Sequence, residues 1–288
     1  PYADHKAMAG WIDDVMAEYP DFNIVGECWF AEPAAVTTWQ KGSPMAKQTG
    51  FDSNLPTVMD FPLMIKSRDL APFKEDTDPW HGLNTLYDHF ALDYIYPDPM
   101  HVLRFLDNHD TERVIQTPID SLDQWKQAIT LLLTTPGIPQ IYYGTELLMS
   151  GTREGGDGYI RKDMPGGFPG DTINSFLPSG RTPLQNEAFD FIAKLNKWRK
   201  TNKAVTNGGM KHFMPMNGVY LYERKAGNDS VIVIMNGRDV ENPVDMSRYA
   251  EIMPEGKTYT DMLSGRKLTP RSGSAPLTLA PREILILE

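Results

Sequence analysis

HVLRFLDNHDTER, His101 to Arg113, is the stretch whose reading decides the fold. Its opening, Val102 to Leu106, is a short, mainly apolar run with Pro99 just upstream, the form taken by a fully buried parallel strand. The run breaks at once into Asp107, Asn108, His109 and Asp110. Four consecutive hydrogen-bonding side chains suit the carboxyl end of a barrel strand, where (β/α) barrels gather their catalytic groups. They suit a helix-capping turn equally well. The neighbouring segments have to decide.

Upstream, Met8, Trp11, Ile12, Val15 and Tyr19 recur at helical spacing from Lys6 to Tyr19, and Pro20 ends the stripe. FNIVGECWF follows, with Ile24 and Val25 as a short strand running into Gly26, Glu27, Trp29 and Phe30. Pro33 reads as the first turn of another helix. Lys41 to Asn54 has loop composition, and Leu55 to Phe61 reads as a strand. Leu83, Leu86, Tyr87 and Phe90 mark a helix before Val102. Leu122, Trp125, Ile129 and Leu132 mark one after it, capped by Asp120 or Ser121. Gly137 and Pro139 introduce a strand from Gln140 to Tyr143. This alternation predicts βαβ units and a parallel sheet. The stretch 144–183 is rich in glycine and charge, and loops of that length are usually functional. A helix from Asn186 to Thr201 follows. Beyond it, Val219 to Arg224, Ser230 to Asn236 and Glu283 to Leu287, separated by turns such as Gly227-Asn228, read as all-β. The expected division is an α/β domain over 1–204 and an antiparallel domain over 205–288.

Composition excludes several classes. The 288 residues carry a formal net charge of −10 with no basic patch, which argues against a nucleic-acid partner. No apolar run is long enough to span a bilayer. The one cysteine, Cys28, leaves no internal disulfide. The chain opens on Pro1 and runs directly into a helical pattern, which suggests a fragment or processed product and leaves its compartment open.

Two acidic groups at the ends of two barrel strands, with aromatics nearby, are the raw material of glycoside hydrolysis. GECW at Gly26–Trp29 and FLDNHD at Phe105–Asp110 resemble the third and fourth signatures of the alpha-amylase family of glycoside hydrolases. PGIPQIYYGTE at Pro136–Glu146 is similar to that family's eighth barrel strand and turn. PYADHKAM at Pro1–Met8 resembles the sequence after its fourth strand, and APREILILE at Ala280–Glu288 the closing strand of its C-terminal sandwich. The segment with Asp163, Pro165, Gly166 and Gly167 most resembles neopullulanases and cyclomaltodextrinases. The resemblance implies the C-terminal half of a (β/α)8 TIM barrel, strands 5–8, followed by an antiparallel β-sandwich.

It also implies roles. Glu27 matches the general acid/base, and its neighbours Cys28 and Trp29 lead us to expect partial desolvation of its carboxyl. Asp110 matches the carboxylate that stabilises the transition state. His109 and Asn108 match sugar-contacting positions, and Trp29 and Phe30 either stack on a glucose ring or serve as packing. Glu27 and Asp110 are expected to converge on one cleft from neighbouring parallel strands. The family's nucleophilic aspartate, with an arginine two residues before it, ends the fourth strand, upstream of Pro1. This polypeptide alone is therefore expected to be inactive, and Asp4 reads as a helix-start residue. No cofactor is implied. Calcium is possible in a parent protein, with ligands from the half not in this chain. The implied substrate is an α-glucan such as maltodextrin, pullulan or cyclodextrin, cleaved by hydrolysis. The alternatives are transglycosylation by the same carboxylates, or a non-catalytic amylase-like carbohydrate-binding module. Strand edges near Ile24 and Ile141 would be unpaired, so self-association is expected.

Overall fold

The computed structural model describes residues 4–50, 52–75, 78, 80–271 and 277–288. Pro1 to Ala3 of the PYADHKAM segment lie outside them. Compactness groups the chain discontinuously, with Pro1–Asp69, Asp88–Pro118 and Pro136–Gly180 in one unit and Leu70–Tyr87, Ile119–Thr135 and Arg181–Glu288 in the other.

The first unit begins with helix α1 (His5–Glu18), whose cap is Asp4: its carboxylate accepts from the Lys6 and Ala7 amides at 2.8 and 3.0 Å. Strand β1 (Val25–Gly26), helices α2 (Pro33–Thr37) and α3 (Pro44–Thr49), strand β2 (Thr57–Met59) and helix α4 (Phe61–Ser67) follow. Helix α5 (Leu83–Ala91) enters this unit at Asp88, ahead of β3 (Val102–Phe105) and β4 (Ile138–Gln140). The strands form one parallel sheet in the order β1-β2-β3-β4, with Val25 opposite Thr57, Val58 opposite Val102 and Leu103 opposite Ile138. All four carboxyl ends therefore lie on one rim. This is a partial (β/α) barrel. Gly137, at φ +114°, starts β4 where a Cβ would come within 2.6 Å of the Val102 carbonyl oxygen, so only glycine fits. Ile12, Ile24, Val36, Leu55, Val58 and Val102 form the core beside β1 and β2.

Three elements of this unit differ from expectation. The loop expected over Lys41–Asn54 contains α3, capped by Ser43, opened by Pro44 and closed by Gly50 in the left-handed region. The strand expected over Leu55–Phe61 ends at Met59, because Asp60 turns out of the sheet and its carboxylate accepts from the Leu63 amide at 3.1 Å. The strand expected over Gln140–Tyr143 is displaced to Ile138–Gln140. Gly144 at φ +84° closes a turn there, with the Thr145 amide on the Tyr142 carbonyl.

The second unit contains helices α6 (Asp123–Thr134), α7 (Pro183–Arg199) and α8 (Lys203–Asn207). Its strands are β5 (Gly209–Met216), β6 (Val219–Ala226), β7 (Asp229–Asn236), β8 (Asn242–Val244), β9 (Tyr259–Thr260), β10 (Lys267–Leu268), β11 (Leu277–Leu279) and β12 (Ile284–Leu287). The main sheet is antiparallel, ordered β12-β7-β6-β5, with short pairs β8–β11 and β9–β10 beside it. Val219, Leu221, Ile232 and Ile234 on one face pack with Val244, Tyr259, Leu277 and Leu279 of the short pairs, the core of a β-sandwich. The opposite face is buried too. Tyr222 Oη lies 2.5 Å from Thr134 Oγ1 of α6, and Arg224 donates to the Thr134 carbonyl at 2.6 Å. Burial on both faces is why Val219–Arg224 reads as a mainly apolar run. Helix α7 starts at Pro183, three residues ahead of the expected Asn186, because Thr182 and Gln185 form a capping box there. At α6, Ser121 Oγ accepts from the Asp123 amide, although Leu122 occupies the cap position itself. Among the described residues, no helix is long and apolar enough to cross a membrane.

Candidate active site

Glu27 leaves the sheet directly after β1 and is exposed, with no hydrogen bond or ion pair to another described residue. The expected desolvation is not found. It is Cys28 that turns inward, 3 % exposed, and burial, with the Glu27 charge beside it, pushes its thiol up to about 12. Such a thiol is no nucleophile at neutral pH. Trp29 remains 38 % exposed and stacks on Phe61 with centroids 4.6 Å apart, while Phe61 meets Phe105 edge-on at 5.1 Å. An aromatic row thus runs along the rim from β1 to β3. Phe30 instead packs against the core of Ile12, Ile24 and Val36.

The turn after β3 carries the other acid. Asn108 is buried and shapes this turn: its Oδ1 accepts from the Asp110 amide at 2.9 Å, and its own amide donates to Thr111 Oγ1 at 2.9 Å. That geometry points His109 and Asp110 outward. His109 Nε2 stands 3.1 Å from Asp110 Oδ2, with their side chains 63 % and 29 % exposed. Arg161 donates to the other Asp110 oxygen at 2.6 Å and to the His109 carbonyl at 2.7 Å. Arg153 donates to the Asp110 carbonyl at 2.7 Å, and both arginines also hold Asp157 at 3.0 Å. Strand β2 lies between β1 and β3, so Glu27 and this turn start from strand ends about 10 Å apart. The expectation of adjacent strands is corrected by one strand.

Beneath the turn sits a support that sequence reasoning passed over. Asp107 is buried and its carboxylate accepts from the Val114 amide at 3.0 Å and from the Thr145 hydroxyl at 3.1 Å. Burial pushes its carboxyl up to about 6, against the opposing pull of those donors and of Arg113. The buried Arg113 guanidinium lies 4.0 Å from the centre of the Tyr142 ring and donates to the Tyr143 and Ile160 carbonyls at 2.7 and 3.0 Å. The turn is therefore tied to both the segment after β4 and the long loop. Arg153 and Arg161 were visible only as charges in a glycine-rich stretch, and nothing local paired them with residues 109 and 110.

Asp60, at the end of β2, occupies the same rim yet is fully buried. It is ion-paired to Arg104 and lies 2.9 Å from His89 Nε2, while Arg104 reaches Asp93 at 2.6 Å. Burial works to raise its carboxyl, but His89 and Arg104 outweigh it and hold the group well below the usual carboxylate range. A carboxylate closed off in this way is structural. Among the described residues, no group of three or more His, Cys, Asp or Glu side chains is arranged to hold a metal ion.

Comparison with known proteins agrees with this architecture. A family model of the alpha amylase catalytic domain matches residues 2–165, and one of the cyclo-malto-dextrinase C-terminal domain matches residues 210–288. The chain is 30 % identical over 287 residues to a cyclomaltodextrin glucanotransferase of Thermoanaerobacterium thermosulfurigenes, covering 96 % of this chain and 36 % of that protein. It is 31 % identical over 269 residues to an alpha-amylase of Niallia circulans, covering 92 % and 44 % respectively. The fold matches a crystal structure of an Anoxybacillus alpha-amylase with a TM-score of 0.76 at 21 % identity, over 99 % of this chain and 56 % of that one. The chain thus spans less than half the length of these two curated relatives, and by its catalytic-domain match it belongs to the alpha-amylase family.

Proposed function

We propose that this chain carries part of the active site of a retaining glycoside hydrolase that cleaves α-glucosidic bonds in starch-type glucans. The observation that carries the reading is the placement of Glu27 and the His109–Asp110 pair on the same rim of the parallel sheet, both accessible. Glu27 would protonate the glycosidic oxygen and then take the proton of the incoming water. Asp110 would accept hydrogen bonds from sugar hydroxyls and favour positive charge at the anomeric carbon. His109 would donate to the same sugar. Trp29, with one face on Phe61, would offer the remainder of its ring to an adjoining sugar. Asn108 would act by shaping the turn, and Phe30 by packing.

Retention of configuration needs a second carboxylate roughly 5–5.5 Å from the acid. Three aspartates of this unit are engaged: Asp4 caps α1, Asp60 is buried in ion pairs and Asp107 is buried under the β3 turn. We therefore propose that the 288-residue polypeptide alone does not turn over polysaccharide. The test is a reducing-sugar assay on maltodextrin and pullulan. This polypeptide should be inactive, and protein from the longest reading frame containing it should be active. Turnover by the 288 residues would show that the nucleophile has been misplaced.

A second reading is favoured by the relatives themselves, several of which are cyclomaltodextrin glucanotransferases. The same residues would then pass the glycosyl group to a sugar hydroxyl. Chromatography of products from maltohexaose separates the two readings, because transfer makes longer or cyclic glucans and hydrolysis makes only shorter ones. We further propose self-association through β1 and β4, each paired on one side only among the described residues. A monodisperse monomer by light scattering would contradict it.

A further inference from the structure

Asp107 sits at a junction that the proposed chemistry does not use. Its Oδ2 accepts from the Val114 amide at 3.0 Å, and both its oxygens lie within 3.3 Å of Thr145 Oγ1 in the turn after β4. Between Asp107 and Val114 the chain makes the turn that presents His109 and Asp110. Just past it, the Arg113 amide donates to Gly151 at 3.1 Å and the Gly151 amide donates to Ile115 at 3.2 Å, joining the turn to the long loop. Gly151 has no room for a side chain, since a Cβ would come 2.4 Å from the Tyr159 carbonyl oxygen. The turn is thus held at its base by one carboxylate and at its far end by a backbone ladder.

We propose that Asp107 is a positioning residue for Asp110, and that its ionised carboxylate fastens the turn bearing Asn108, His109 and Asp110 to Thr145. This rests on reading Asp110 as a site carboxylate. Hydrogen bonds to a charged acceptor are stronger than those to a neutral one, so protonation loosens the fastening. The charged groups facing Asp107 are Arg113, from its own turn, and Glu146, from the turn after β4; the first favours the ionised form and the second opposes it. With burial, they bring its titration to about pH 6, where a modest acidification reaches it.

The test is a pH titration of the isotopically labelled 288-residue chain by nuclear magnetic resonance, in a His109→Gln background so that no imidazole titrates beside Asp110. The Asp107 carboxyl carbon, the Val114 amide and the Asp110 amide should share one inflection. Asp107→Asn should abolish it at Asp110. Thr145→Val, which removes a donor to the ionised form, should move it to higher pH. A purely structural Asp107 would shift Val114 and leave the Asp110 amide flat, and that result overturns the proposal. An inflection at Asp110 that persists in Asp107→Asn overturns it as well. No sugar is present, so a failed functional reading would leave this coupling intact, and a failed coupling would leave the functional reading standing.

Discussion

Around Arg104, two aspartates and a histidine are largely closed off from water; around Arg161, a similar set faces it. In the first group Arg104 pairs with Asp60 and Asp93 and lies beside His89, and the side chains of Arg104 and Asp60 are 1 % and 0 % exposed. In the second, Arg161 pairs with Asp110 and Asp157 and donates to the His109 carbonyl, with Arg161 39 % and Asp110 29 % exposed. Residue types do not distinguish them. Burial does, because a carboxylate shut away with an arginine has no room for substrate, whereas one at the surface can exchange its partner for a sugar hydroxyl.

The largest effect expected from this contrast is on stability. Arg104→Met leaves Asp60 buried without its guanidinium and should cost about 3–5 kcal/mol in urea unfolding at pH 7. An unchanged midpoint would show that the buried group is not held by that pair. Next in size is the pH dependence. Asp107 has its folded value raised from 3.8 to about 6, so the folded state holds its proton more tightly and stability falls as pH rises between those values. Asp107→Asn should remove that fall, about 3 kcal/mol, visible as a flatter Tm between pH 4 and 6.5. Asp60 has the opposite sign: its folded value lies below 3.8, so its contribution is present above that pH and is lost as pH falls further. If Asp107→Asn instead flattened the limb below pH 3.8, where Asp60 contributes, the contrast would fail. The smallest effect belongs to Arg161→Ala. Its partners are exposed, so its removal should cost under about 1 kcal/mol. A cost comparable to that of Arg104→Met would mean that the outer group is structural too.

Much of the architecture was legible in local pattern. The Val102 run and the helical stripe from Met8 to Val15 each state their element within a few residues. The outward turn at Asn108–Asp110 was legible for the same reason, since its hydrogen bonds are made within the turn. The Arg104 group was hidden because its members come from four separate segments, each reading as something else. Asp60 closed an apparent strand, His89 sat within an apolar helical stripe, and Arg104 interrupted a buried run. Pairing across 44 residues, as between Arg104 and Asp60, leaves no local mark. Nor does pairing across 51, as between Arg161 and Asp110. Glu27 was identifiable by its place after a strand. Its exposure was not, because that depends on which way the chain turns after Gly26.

The most direct test of the account is a kinetic cycle on protein from the longest reading frame containing this chain, with 4-nitrophenyl α-maltoside as substrate. If Glu27 and Asp110 serve one reacting sugar, Glu27→Gln and Asp110→Asn should each lower kcat by roughly 10²–10⁴-fold, and the double variant should be little worse than the weaker single. Either single variant at the wild-type rate, or losses that multiply in the double, would contradict a shared site.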